Sequence, residues 1–252
     1  MRTDFEAPVT EPRDVEGDGV LLAGVRKAFG PVAALDGVSL RAAPGEVVAV
    51  AGPSGCGKST LLSLVCGLAA PDAGTVQSPP AALMPQRDGL LPWLSALDNA
   101  ALARRVAGDS RAVARAAAHA HFAAFGLEGF ERARPAELSG GMRQRVAFLR
   151  TLLAGRPVLC LDEPFGALDA LTRAQAQGWL ADALRREPRT VLLVTHDVEE
   201  AVLLADRLVL LSPRPGRVVE RLDVALPRPR ERTSAEVVAL REHALAVLGV
   251  GT

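Results

Sequence analysis

The stretch GPSGCGKST at residues 52–60 limits what this chain can fold into more than any other. It fits the pattern G-x-x-x-x-G-K-[ST]. It lies between a β-branched apolar run, EVVAVA, and a run with apolar residues at helical spacing, KSTLLSLVCGLAA. A strand that turns into a helix through Gly52, Gly55 and Gly57 can point its backbone N–H groups inward around an anion. The helix start adds its own N–H groups and the positive end of its dipole. Lys58 then supplies a point charge for the β- and γ-phosphates of a nucleotide, and Ser59 a hydroxyl for Mg²⁺.

Composition sharpens the role of Lys58. Of the 29 basic residues only Lys27 and Lys58 are lysine, an imbalance that a codon bias explains and that makes each remaining lysine a candidate for a specific task. The formal net charge is +0, so the balance does not suggest a nucleic-acid partner. With 252 residues, 49% of them hydrophobic, the chain can build a sizeable core. Its three cysteines, Cys56, Cys66 and Cys160, fit neither a zinc site nor a disulfide framework, and a reducing cytosolic setting is the simplest account. The N-terminal residues lack the pattern of a secretory signal, and AVLLADRLVLL, the longest apolar run, is broken by Asp206 and Arg207. The expectation is a chain that does not enter a bilayer alone, although it can dock onto a membrane protein.

Residues 1–17 are acidic and proline-bearing and read as a flexible tail. Short apolar runs follow at VLLAGV, VSLRA, EVVAVAG and ALMPQ, read as strands. Residues 96–125 are rich in alanine and arginine and read as two helices broken near GDS. Further on, a helix over 140–154, a strand PVLCLDE, a helix over about 169–186 and a strand TVLLVT are expected, then a short helix and the strand RLVLLS. GRVVERLDV reads as a hairpin strand, and TSAE at 233–236 as a capping-box start for a last helix. Alternating strands and helices imply an α/β fold with a mainly parallel sheet covered on both faces, interrupted by an inserted helical subdomain.

The strand VLCLD ends in two carboxylates, Asp162 and Glu163, at the sheet edge where open α/β folds bind ligands. Asp162 is a candidate Mg²⁺ ligand and Glu163 a candidate general base. His196 ends another core strand on the same edge, and Phe29, upstream of the glycine loop, is placed to stack on a purine. Neither lysine stands in an N-K-x-D guanine motif, so adenine is the expected base.

LSGGM at 138–142 poses a separate question, because glycine costs about 1 kcal/mol inside a helix relative to alanine. The stretch resembles the LSGGQ signature of ATP-binding-cassette (ABC) ATPases. In the same order as that family, the chain carries the phosphate loop, Gln86 in MPQRD resembling the Q-loop, the signature, LCLDEP, Asp169 in GALD resembling the D-loop, and His196 as the switch histidine. The resemblance covers about residues 20–222. It implies a P-loop NTPase fold: a RecA-like core, an antiparallel β subdomain and a helical subdomain at about 87–155, within an ATPase domain at 18–228 and ahead of a C-terminal helical extension at 229–252.

For the site, the resemblance implies that ATP is lined by Phe29, by Gly52, Pro53, Ser54, Gly55, Cys56, Gly57, Lys58, Ser59 and Thr60, and by Ser139, Gly140 and Gly141 reaching over from a second cassette. Glycines leave their backbone N–H groups open to close approach by a triphosphate. Mg²⁺ would be held by Ser59, Gln86 and Asp162, and Lys58, Gln86, Glu163 and His196 would carry catalysis. Met142 departs from the usual glutamine at the least demanding signature position. Two cassettes would close head-to-tail over two ATP, as a homodimer. The stretch LLPW at 90–93, with SPRPGRVV and LPRPRERT, is similar to cassettes of the nitrate, sulfonate, taurine and pyrimidine-precursor import group. That implies a transmembrane permease, docked near Leu91, Pro92 and Trp93 on the cytoplasmic face of the membrane, and a separate solute-binding protein. The competing readings are a soluble mechanical ABC ATPase and an exporter subunit. Against the first stands a short interval between phosphate loop and signature that lacks heptads.

Overall fold

The computed structural model describes residues 19–166 and 168–249. The expected tail at 1–17 lies outside them. Two sheets form. Strands β1 (Val20–Phe29) and β2 (Val32–Ala42) pair antiparallel, and β4 (Ala73–Gln77) joins the other side of β1, giving the order β2-β1-β4. The larger sheet contains β3 (Val47–Ala51), β5 (Ala81–Met84), β6 (Val158–Asp162), β7 (Thr190–Thr195), β8 (Arg207–Leu211) and β9 (Val218–Asp223). Its order is β5-β6-β7-β3-β8-β9. All neighbours are parallel except β9, which turns back on β8.

The central strands are continuous apolar runs because both faces are covered. Val47, Ala49 and Ala51 of β3 enter one core and Val48 and Val50 the other. The same alternation puts Leu159 and Leu161 of β6 on the first face and Val158 and Cys160 on the second. The second core also takes in α1 (Lys58–Val65) and the small sheet.

The remaining helices are α2 (Ala96–Ala100), α3 (Leu102–Val106), α4 (Arg111–His119), α5 (Gly140–Leu152), α6 (Ala170–Arg186), α7 (Val198–Leu204) and α8 (Ala235–Val247). The segment read as two helices therefore begins as three. The first core takes in residues of every helix from α2 to α8 except α3, which has no buried residue. Ser95 caps α2 by accepting from the Asp98 N–H, and Ser110 caps α4 by accepting from the Val113 N–H. The last helix starts one residue later than the capping box predicts. Ser234, not Thr233, accepts from the Val237 N–H, so Glu236 falls in the first turn rather than at the box position. β4 had no counterpart in the sequence reading, since most of its residues are exposed and none is buried.

Candidate active site

Parallel strands end at one edge, and the strand order decides which ends are neighbours. Along β5-β6-β7-β3 that edge carries Gln86, then Asp162 and Glu163, then His196, then the phosphate loop. Four segments remote in sequence thus meet through hydrogen-bonded pairing alone.

The loop leaves β3 at Ala51 and enters α1 at Lys58. Gly57 has φ 100°, and a Cβ there would lie 2.6 Å from the Ala34 carbonyl oxygen, so no other residue fits. Gly57 also offers no side-chain cap to α1, leaving its first N–H groups without a side-chain acceptor. Lys58 is 5% exposed, and its Nζ donates to the carbonyls of Gly52 (2.7 Å) and Pro53 (3.1 Å). Cys56 belongs to the loop by its backbone, but its thiol is buried and burial pushes its pKa up. Alkylation of that thiol is therefore not the ready test of nucleotide binding that its position in the motif suggests.

Opposite the loop, Asp162 is buried, and its Oδ1 has no hydrogen-bond partner. Burial raises its pKa, with the Ser59 hydroxyl acting against that. A buried, unpartnered carboxylate oxygen next to a hydroxyl calls for a cation, and the oxygen donors of Asp162, Ser59 and Gln86 suit hard Mg²⁺. Glu163 has φ 46°, the one positive φ outside glycine among the described residues. Its N–H donates to the Val194 carbonyl at 2.8 Å. Its carboxylate is held from both sides: Oε2 accepts from Gln86 Nε2 at 2.9 Å, and Oε1 lies 3.1 Å from His196 Nδ1.

Phosphate loop, Gln86 and Glu163 line an open cleft of about 340 Å³ together with Phe29. Phe29 is 56% exposed, with Lys27 Nζ 5.6 Å from its ring centroid. Ser139, Gly140 and Gly141 do not line this cleft. They form a second glycine-rich helix start, at the head of α5. The Ser139 oxygen accepts from the Met142 N–H at 3.2 Å, which leaves its hydroxyl hydrogen free to donate outward. A Cβ on Gly141 would lie 2.9 Å from Thr172 Cγ2, whereas one on Gly140 would meet nothing nearer than Arg143 Nη2 at 3.8 Å. Asp169, just outside α6, accepts from the Thr172 N–H at 3.0 Å.

Three connections had no signal in the sequence. Arg143 and Arg150 of α5 both grip the loop after Gln86: Arg143 Nε donates to Asp88 Oδ2 (3.1 Å), Arg150 to the carbonyls of Asp88 (2.7 Å) and Gly89 (2.9 Å). Gln144 Nε2 donates to the Pro164 carbonyl (2.7 Å), behind Glu163. Arg173 of α6 bridges the Leu168 carbonyl (3.1 Å) and Asp197 (3.4 Å) beside His196. Near it Glu200 is buried with Oε1 unpartnered. Burial, then the charge of Asp197, pushes the Glu200 pKa up to about 8, against the opposing Arg173 and Thr195. Trp93 projects from the helical side, 69% exposed, next to exposed Pro92.

Fold and cleft together define a nucleotide-binding α/β protein of the P-loop class. The family model described as ABC transporter matches residues 35–166, and the chain belongs to that family as an ABC ATPase. An aliphatic sulfonates import ATP-binding protein, SsuB 2 of Nocardia farcinica, is 48% identical over 232 residues, covering 90% of this chain and 92% of that protein. A taurine import ATP-binding protein, TauB of Yersinia pseudotuberculosis, is 44% identical over 229 residues, covering 84% and 90%. Among solved structures, the dimeric structure of MJ0796, a bacterial ABC transporter cassette, matches with TM-score 0.75 and 29% identity, over 82% of this chain and 100% of that one. A post-hydrolysis state of the same cassette bound to ADP and Pi matches with TM-score 0.74.

Proposed function

We propose that this chain is the ATP-hydrolysing subunit of an importer for a small solute, with a sulfonate such as taurine the favoured class. The observation that carries the chemical part is Glu163, held between Gln86 and His196 beside the unpartnered Asp162 oxygen and across the cleft from Lys58. The names of the curated relatives support the solute class, and nitrate and pyrimidine precursors stay open beside it.

In this reading Phe29 stacks on adenine, and residues 52–60 wrap the phosphates with backbone N–H groups. Lys58 turns from its own carbonyls toward the β- and γ-phosphates. Asp162, Ser59 and Gln86 hold Mg²⁺, which neutralises phosphate charge when bound. Glu163 takes the proton of the attacking water, and His196 steadies both the carboxylate and the γ-phosphate. Ser139, Gly140 and Gly141 act on ATP held by a second copy, consistent with their place outside this chain's cleft. Residues 87–155 serve as the helical unit that receives a permease at Leu91, Pro92 and Trp93, and 229–252 as an appended helical extension. No described helix is long and apolar enough to cross a membrane, so such coupling needs a partner that does.

Purification from native membranes in mild detergent tests the importer reading. A co-purifying multispanning permease, lost on Trp93→Ala, is the expected result. A chain that is recovered without any membrane partner overturns it and leaves the ATPase assignment in place.

A further inference from the structure

The stretch SPRPGR at 212–217 joins β8 to β9, and none of its residues has been given a role above. It is a built loop. The Ser212 hydroxyl donates to the carbonyls of Pro213 (3.0 Å) and Pro215 (3.1 Å) and accepts from the Arg217 N–H (3.0 Å). Gly216 donates its N–H to the Ala34 carbonyl (2.9 Å) and accepts from the Asp36 N–H (3.0 Å), which stitches the loop to β2. Arg217 Nε pairs with Asp36 Oδ2 at 2.9 Å. On its other side the loop rests on the phosphate loop itself. A Cβ on Gly216 would come 2.1 Å from the Cys56 carbonyl oxygen, a contact only glycine permits.

This scaffold holds one residue that takes no part in it. Arg214 lies between Pro213 and Pro215, so its backbone is restricted, and its exposed side chain lines the same cleft as Phe29, Ser54, Gly55 and Lys58. Among the described residues its guanidinium has no hydrogen-bond or ion-pair partner, whereas Arg143, Arg150, Arg173 and Arg217 are each tied to carbonyls or carboxylates. An unpaired cation on a restricted backbone, lining the phosphate-loop cleft two residues from a glycine pressed against that loop, is placed to bind phosphate oxygens through its planar fork.

We propose that Arg214 is a further nucleotide-binding residue, contacting the polyphosphate from the β8–β9 side of the cleft. This rests on the nucleotide reading above. The loop then acts as a third wall, beside the phosphate loop and the Phe29 strand.

The test is equilibrium binding of ATP, ADP and GTP to the full chain and to Arg214→Ala, Arg214→Lys and Lys58→Ala. Arg214→Ala is expected to weaken all three nucleotides by about tenfold, with Arg214→Lys recovering part, since a charge-assisted contact at an exposed rim is worth about that much. In hydrolysis the change is expected mainly in KM. The melting temperature is expected to stay at the wild-type value, because the side chain holds no other group. ATP affinity within about twofold of wild type overturns the proposal. So does a loss seen with ATP but not with GTP, which would put Arg214 on the base instead. Lys58→Ala separates the two claims: wild-type binding by that variant removes the cleft reading itself, and Arg214 with it.

Discussion

Two glycine-rich turns in this chain each start a helix, and they are built in opposite ways. The phosphate loop runs into α1 with no side-chain cap, a left-handed Gly57 and its N–H groups turned to its own cleft. The signature turn runs into α5 with Ser139 as a formed cap and with Gly141 packed against Thr172. The first leaves its anion-binding groups unsatisfied and closes them inside one molecule. The second has one helix N–H, that of Met142, taken by its own cap, and presents Gly140 and a hydroxyl hydrogen to the outside. Similar local sequences therefore serve a cradle in one case and a finished outward surface in the other.

The comparison breaks most visibly on the cradle side. Glu163→Gln should keep ATP binding and lower hydrolysis by about 10²–10⁴-fold, the range of a lost general base, read as phosphate release under saturating ATP. Near-normal turnover would take Glu163 out of that role.

The signature side is sharpened by its two glycines. Gly141→Ala forces a methyl to 2.9 Å from Thr172 Cγ2 and should cost about 1–3 kcal/mol, visible as a lower melting temperature. Gly140→Ala meets only an ordinary contact with Arg143 Nη2 and gains up to about 1 kcal/mol of helix propensity, so the fold should melt no lower. Yet, placed in the Glu163→Gln background, it should weaken ATP-dependent dimerisation measured by sedimentation. Equal melting of the two variants would undo the distinction.

A smaller effect belongs to Glu200, behind His196. Its pKa is raised from 4.5 to about 8, so the folded state holds a proton that the unfolded state releases. By linkage, stability from this group is present at low pH and falls as pH rises between those two values. Glu200→Gln should flatten the decline of the melting temperature between about pH 5 and 8. An unchanged slope would show that another group sets it. The smallest change concerns thiols. Cys66 is half-buried and its pKa is lowered by the neighbouring Cys160 thiol, so a maleimide should label it well before Cys56. Mass mapping of the first adduct decides this.

The cradle was legible in the sequence because its chemistry needs contiguous residues: a strand, three glycines, a lysine and a hydroxyl in fixed order. The place of Glu163 and His196 at the sheet edge was legible because apolar runs end at them. Gly141 was only half legible. Its spacing marks the signature, but the packing reason sits on Thr172, 31 positions away in the chain. The grips of Arg143, Arg150 and Arg173 left no trace, since nothing local tells an arginine which distant carbonyl it will reach. β4 was missed because an exposed strand carries no apolar alternation. Nothing local in the sequence tells Trp93 from a core residue, only the resemblance put it at a surface, and it is 69% exposed.

The left-handed backbone at Glu163 has a consequence for anyone improving this protein. A residue with a side chain in that conformation costs about 1–2 kcal/mol that glycine would not. The position proposed to handle the reacting water is thus also one where a side chain sits on a strained backbone. A screen that ranks variants by heat resistance alone would weigh that strain against the Gln86 and His196 contacts and take no account of the chemistry proposed for the carboxylate.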